Sequence, residues 1–340
     1  MTRQLLNTLF VQTQGAYLHL QRDTVKVEAE GAVVLRVPLH HLGGLVLFGN
    51  VLISPFLLHR CARDRRQVVW FNRYGRFEAR LHGPVSGNVL LRRMQHQASE
   101  DPRHALALSR SFVLGKVRGS RQVLRRAARE ADRVPPRLRQ ALGTMDWALE
   151  SLPDAEDIDV VRGIEGQAAS EYFSAFPQLI RNPDFCFNGR NKRPPRDAVN
   201  ALLSFIYALV RGDCASALEG VGLDPQVGFF HVLRPGRPAL ALDLMEEFRA
   251  WWADRLVLTL INRKQLRPSH FIEQPGGAIH LSDDGRREVL TAYQKRKQEE
   301  VQHPLFTEAV PIGLLPYVQA RLLARHLRGD LDRYPAFTPK

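Results

Sequence analysis

GPVSGNV, Gly83 to Val89, is the stretch whose reading decides the fold. Two glycines, a proline and small polar residues break the chain there, and the hydrophobic pattern changes across the break. Before it, apolar residues tend to alternate; after it, they recur about every 3.6 residues. Upstream, TLFVQT, AYLHLQ, TVKVEA and VVLRVPL (residues 8–39) predict short strands of a small antiparallel sheet domain. SPFLLHRCARD (54–64) has a Ser cap before helical spacing, and QVVWFNRYGRFEARL (67–81) predicts a hairpin turning at Tyr74 and Gly75. His40 and His41 would point apart on a strand and are read as structural. The expected class is α+β multidomain, with residues 1–85 as the sheet domain and 86–340 as a helical domain.

Downstream, Pro102 opens a helical run carrying Lys116, Arg118, Arg121, Arg125, Arg126 and Arg129. That run is either a solvated face or a stripe facing phosphates. RVPPR (133–137) ends it. In GIEGQAASEYF (163–173), Glu165 sits among small residues that allow close helix packing, which would fix it near a site. NGRNKRPPRDAVNALLS (188–204) holds Arg190, Lys192, Arg193 and Arg196 in a proline-stiffened loop suited to clamping phosphates. Asp197 then caps a helix whose Ala198, Leu202, Phe205 and Leu209 form a core stripe. Residues 270–290 suggest a short hairpin and a capped helix.

GFFHVLRPGRPALALDLMEEFR, Gly228 to Arg249, is where the chemistry is expected. His231 closes an apolar run, RPGRP (234–238) must turn, and a helix start is expected at Asp243. Asp243, Glu246 and Glu247 then stand at i, i+3 and i+4 and would share one face. Three carboxylates repel one another. Either a hard metal ion or arginines such as Arg237 and Arg249 should offset them. The bland alternative is that acids in a helix's first turn merely suit its macrodipole, and that His231 is a packed core residue.

Composition sets bounds. With 340 residues, 44% of them hydrophobic and 24% charged, the chain can build two domains and a sizeable core without staples. Cys61, Cys186 and Cys214 are too few and too scattered for a disulfide framework or a cysteine-based zinc site, so a reducing cytoplasm is expected. MTRQLLNTLFVQTQ lacks a signal peptide's long apolar core, and no membrane association is expected. The net charge of +13 points to a polyanion, nucleic acid foremost.

LLNTLFVQT, GIEGQAASEYF, GRNKRPPRDAVNALLS and GFFHVLRPGRPALALDLMEEFR, taken in order, resemble one family from end to end. It is the CRISPR-associated integrase and endonuclease of spacer acquisition, Cas1, with most similarity to its type I-C form. The resemblance implies an N-terminal β-sandwich that dimerises and an all-α catalytic domain. It implies a homodimer that joins Cas2, with Cas4 as a candidate further partner, acting on prespacer and CRISPR repeat DNA. It places Mn²⁺ or Mg²⁺ ligands at Glu165, His231 and Glu246, and an acid of auxiliary role at Asp243. Some relatives carry Asp where this chain has Glu246, and many carry Asn where it has Gly119. Arg190, Lys192, Arg193, Arg196, Arg237 and Arg249 are the candidate DNA contacts. The competing readings are a nucleic-acid-binding scaffold whose acids are structural, and a metal-dependent nuclease with no integration role.

Overall fold

Short alternating segments with turn residues between them, followed by long 3.6-period segments, divide the chain into two compact units. The computed structural model describes residues 7–83, 89–191 and 194–338. One unit is Met1–Ser86 with Arg286–Gln298; the other is Gly87–Gly285 with Glu299–Lys340. Residues 286–298 thus group with the N-terminal unit, not with the helical domain to which the sequence reading gave them. Within that unit Arg286 Nε donates to Gln12 Oε1 at 3.2 Å.

The first unit runs β1 (Thr8–Val11), β2 (Tyr17–Gln21), β3 (Thr24–Ala29), β4 (Ala32–Pro38), β5 (Gly44–Phe48), β6 (Leu52–Ile53), α1 (Pro55–Arg63), β7 (Gln67–Phe71) and β8 (Phe77–Arg80). It forms two four-stranded sheets, β1-β5-β7-β8 and β4-β3-β2-β6. Leu18, Val25 and Val27 from one sheet, Leu45, Leu47 and Val68 from the other, and Leu57 and Cys61 of α1 share one buried cluster.

The expectation of an antiparallel domain needs correction. β1 pairs parallel with β5, β5 with β7, and β2 with β6. The cause is connection length: α1 lies between β5 and β7, and a parallel pair needs such a crossover. The signal was in GLVLF, a continuous apolar run rather than an alternating one, and every residue of β5 is buried. The predicted hairpin is present, with Gly75 at φ +84° and Asn72 Oδ1 accepting the N–H groups of Tyr74 and Arg76. The Ser54 cap is present too, its Oγ accepting from Leu57 N at 3.3 Å. His40 and His41 lie in a 3₁₀ turn, not on a strand, and their ring centroids are 4.2 Å apart.

The second unit runs α2 (Val89–Glu100), α3 (Pro102–Arg129), α4 (Pro136–Ser151), α5 (Ile158–Ala175), α6 (Ala198–Val221), α7 (Ala239–Phe248), a π-helical turn Arg249–Asp254 and α8 (Arg255–Asn262). β9 (Phe271–Gln274), β10 (Ala278–Leu281), the start of α9 (Asp283–Gln298), whose residues 286–298 group with the first unit, β11 (Glu300–Gln302), β12 (Ala309–Pro311) and α10 (Leu315–Leu327) follow. The unit is helical but not all-α, because β9-β10 and β11-β12 are two-stranded ladders. Asp101, Asp157 and Asp197 cap α3, α5 and α6 by accepting N–H groups from Arg103, Val160 and Asn200. α6 is long and apolar enough to cross a membrane, yet two thirds of its most apolar window is buried inside the protein, as befits a core helix.

Gly115 lets α3 lie close against α7. A Cβ on Gly115 would stand 2.9 Å from Glu247 Cγ, and one on Gly119 would meet Trp251 Cβ at 3.5 Å. A Cβ at Gly119 would thus make ordinary van der Waals contact with the π-helical turn. α7 starts at Ala239, four residues earlier than expected, so no acid lies in its first turn. The macrodipole does not account for its carboxylates.

Candidate active site in the helical unit

The three carboxylates of α7 do not act together as the sequence spacing suggested. Asp243 turns to the chain preceding the helix. Its Oδ2 accepts from Phe229 N at 2.7 Å and Phe230 N at 3.1 Å, and its Oδ1 accepts from His231 N at 2.9 Å and pairs with His231 Nδ1 at 2.7 Å. Such a wrap requires glycine at 228, where a Cβ would come within 2.6 Å of Asp243 Oδ2 and 2.7 Å of the Ala239 backbone. With Asp243 accepting at every contact, the imidazole proton belongs on Nδ1, which leaves the Nε2 lone pair available. Nε2 lies 3.8 Å from Glu246 Oε1.

Glu247 faces the other way. It accepts from Gln319 Nε2 of α10 at 2.7 Å and from Phe337 N at 2.6 Å, and it bonds the Tyr334 hydroxyl. Burial pushes its pKa up to about 8, against the lowering effect of those hydrogen bonds. It anchors the C-terminal segment.

Glu246 remains as the acid of the site, 2% exposed. Its Oε2 lies 2.7 Å from Lys116 Nζ, and its Oε1 lies 3.2 Å from Arg249 Nη1. Burial raises its pKa, but Arg249, Lys116 and His231 together outweigh burial and hold it at about 2. Lys116 of α3 also ion-pairs with Glu165 of α5. One ammonium thus joins the two acids that the sequence reading singled out on separate helices. Arg162, one turn before Glu165, donates to the Phe230 carbonyl at 3.1 Å, tying α5 to the segment that carries His231.

Beside Glu165 opens a cleft of about 750 Å³, lined in part by Lys116, Phe173, Phe187, Arg190, Tyr207 and Arg249. Its floor is a buried network. Asp254 accepts from Tyr207 Oη at 2.6 Å and Tyr172 Oη at 3.0 Å. The Arg249 guanidinium sits 4.8 Å from the centre of the Tyr207 ring. The π turn sets this up, since it carries Arg249 at one end and Asp254 at the other. The Nε atoms of Arg190 and Arg249 are buried without a hydrogen-bond partner.

The candidate DNA residues scatter. Arg190 is no surface clamp: its guanidinium bonds Asn200 Oδ1 at 2.6 Å and Ser204 Oγ at 3.1 Å and faces the cleft. Arg249 is likewise internal. Arg196 is exposed, Arg237 is half-buried in the turn after His231, and Lys192 and Arg193 lie outside the described residues. Of the α3 stripe, Lys116 belongs to the site, Arg121 and Arg125 pair with Asp146, and Arg126 pairs with Glu130. Arg118 and Arg129 are exposed. Sequence reasoning missed Lys116 as a site residue, together with Arg162, Tyr172, Tyr207 and Asp254. Only Lys116 carried a usable signal, as the cation that follows Gly115 on a helix packed against the acids.

The donor set of Glu165, His231 and Glu246 is two carboxylates and an imidazole nitrogen, which suits Mn²⁺ or Mg²⁺. Among the described residues, no three histidine, cysteine or carboxylate side chains are gathered closely enough to hold a metal as they stand. The Lys116 ammonium lies between Glu165 and Glu246. A divalent cation held by that donor set would take the position the ammonium fills.

A family model for the CRISPR associated protein Cas1 matches residues 9–295. The CRISPR-associated endonuclease Cas1 1 of Moorella thermoacetica is 52% identical over 337 residues, 98% of each chain. A CRISPR-associated exonuclease Cas4/endonuclease Cas1 fusion of Geobacter sulfurreducens is 38% identical over 341 residues, covering 98% of this chain and 60% of the fusion. Among solved structures, a Cas1 protein from Thermotoga maritima has a TM-score of 0.81 at 22% identity, covering 95% of this chain and 97% of that one. A casposase bound to integration product has a TM-score of 0.84 at 20% identity, covering 98% and 94%. A chain of the Cas6-RT-Cas1–Cas2 complex has a TM-score of 0.81 at 22% identity, covering 98% and 36%. At these identities the structures establish the fold.

Proposed function

The chain belongs to the CRISPR associated protein Cas1 family, and from that membership we propose that it is a divalent-metal-dependent DNA endonuclease and integrase of CRISPR adaptation. It joins short DNA fragments to the CRISPR array as new spacers. The observation that carries the metal-dependent chemistry is the meeting of Glu165 and Glu246 on a single cation position, with the free Nε2 of His231 beside it.

Glu165, Glu246 and His231 would hold Mn²⁺ or Mg²⁺. Bound there, the ion would polarise a phosphodiester and offset charge growing on its oxygens. Asp243 holds the imidazole in the orientation and tautomer that leave Nε2 free, a common arrangement behind metal-binding histidines. Arg190 and Arg249, each with an unpartnered buried Nε, suit a phosphate in the cleft. In integration the 3′-hydroxyl of the incoming fragment attacks a repeat phosphorus, one P–O bond forms and one breaks, and a repeat 3′-hydroxyl leaves. The number of phosphodiester bonds is conserved. In hydrolysis, water takes the place of the hydroxyl.

The N-terminal unit serves as a β-sandwich dimerisation domain. GGLVLFGNVLISPF, the apolar segment at residues 43–56, splits in two. β5 is wholly core, whereas Leu52 and Phe56 are 58% and 78% exposed. The exposed Val33, Val34 and Leu35 of β4, at a sheet edge, add apolar area suited to the same contact. The homodimer joins Cas2 in the cytoplasm, and Cas4, fused to Cas1 in the Geobacter sulfurreducens relative, is a further partner. The test is strand transfer by purified protein with Cas2, a prespacer and a CRISPR repeat duplex under titrated Mn²⁺. Activity that persists without divalent metal overturns the reading.

A further inference from the structure

Lys116 has little freedom to be anywhere else. Gly115 brings the α3 backbone close to α7, and the next residue, Lys116, reaches both Glu246 and Glu165. It is 8% exposed and ion-pairs with both carboxylates. A buried ammonium needs such partners, and the buried Glu246 and half-buried Glu165 carboxylates are offset by such a cation. Adding a divalent ion between the same acids, with Lys116 and Arg249 still in place, would crowd four positive charges around them. The lysine stem is flexible, and the adjoining cleft, which Lys116 helps to line, offers an exit.

We propose that Lys116 competes internally with the divalent cation: its ammonium fills the cation position in the metal-free protein, and a DNA phosphate in the cleft draws it away. This rests on the metal-site reading above. The consequence is coupling. DNA that engages Lys116 clears the position for metal, and by linkage metal that expels Lys116 supplies a cation for DNA. The protein then loads metal chiefly when DNA is present.

Binding shows this without catalysis. Mn²⁺ affinity is measured by titration calorimetry on wild type, Lys116→Met and Lys116→Gln, with and without a duplex lacking a reactive 3′-hydroxyl. Lys116→Gln, which retains a neutral hydrogen-bond donor, serves should the Met variant fold poorly. For wild type, DNA should tighten Mn²⁺ binding by about tenfold, within the usual range of coupling. Both variants should bind Mn²⁺ about tenfold tighter than wild type without DNA, and DNA should then change their affinity by less than about twofold. Mn²⁺ should also raise the variants' Tm more than that of wild type. Equal or weaker Mn²⁺ binding by a folded variant overturns the competition. Glu165→Ala separates the two ideas: if it leaves wild-type Mn²⁺ affinity unchanged, the metal-site reading itself is wrong.

Discussion

Glu246 and Glu247 are neighbours on α7, both carboxylates and both buried, yet their pKa values are held at about 2 and about 8. Desolvation penalises each. Lys116, Arg249 and His231 face Glu246, whereas the neutral donors Gln319, Tyr334 and the Phe337 amide face Glu247. Hydrogen bonds alone leave the charge unfavourable; cations within reach reverse the balance. One side of the helix is thereby prepared for ionised chemistry and the other for holding the chain end. A sequence shows two adjacent glutamates and nothing of this division.

The largest expected effect breaks the first side. Glu246→Ala, like Glu165→Ala or His231→Ala, should lower Mn²⁺-dependent strand transfer roughly 10³-fold or more, as when a metal worth several kcal/mol is lost. DNA affinity, spread over many lysines and arginines, should stay within about threefold. Strand-transfer assays beside filter binding decide it, and unchanged turnover by Glu246→Ala would remove this residue from the site. Asp243→Ala comes next. Losing the contact that orients His231 should cost about 10- to 100-fold in metal affinity or activity, read by Mn²⁺ titration. A loss as complete as that of Glu246→Ala would make Asp243 more than a positioning residue.

Breaking the other side should cost stability and not chemistry. Glu247→Ala strands the Phe337 amide and the Gln319 side chain and opens a hole beside Gly115, so a loss of about 3 kcal/mol is expected. Glu247→Gln restores an acceptor and should recover most of it. Urea unfolding and strand transfer at saturating Mn²⁺ separate the two sides. If Glu247→Ala folds normally but cannot transfer strands, the two faces are not independent.

Much of this was legible in residues, and the limits are physical. The change of period near Gly83 located the passage from strands to helices, and the caps at Ser54 and Asp197 were readable because a cap is a local event. Glu165, His231 and Glu246 stood out through the company they keep in sequence. Parallel pairing of β1, β5 and β7 was missed because period two does not say which strand lies beside which. Lys116 hid among arginines, since helix spacing gives a face but not what another helix places opposite it. Arg190 and Arg249 looked like surface charges because nothing local reveals that Tyr207, Asn200 and Glu246 surround them.

Asp254 sharpens the comparison from between the extremes. It is buried like the two glutamates, and burial is the largest influence on it, but it takes hydrogen bonds from Tyr207 and Tyr172 and feels Arg249 and Arg190, so its pKa is raised only to about 6. A folded-state value above the unfolded one, 3.8, means the folded protein binds the proton more tightly. The contribution to stability is fully present below the unfolded value, declines as pH rises through the window up to about 6, and is flat above it. Asp254→Asn removes that slope. The amide still accepts from one tyrosine, and the other can turn its hydroxyl to accept from the NH₂ group, so the cost at pH 5 should be small, about 1 kcal/mol. Relative to wild type the variant should gain ground as pH rises from 4.5 to 6.5, measured by urea unfolding at each pH. Parallel stability curves for the two proteins across that window would mean that Asp254 does not titrate there, and that two tyrosines and two arginines suffice to keep a buried carboxylate ionised.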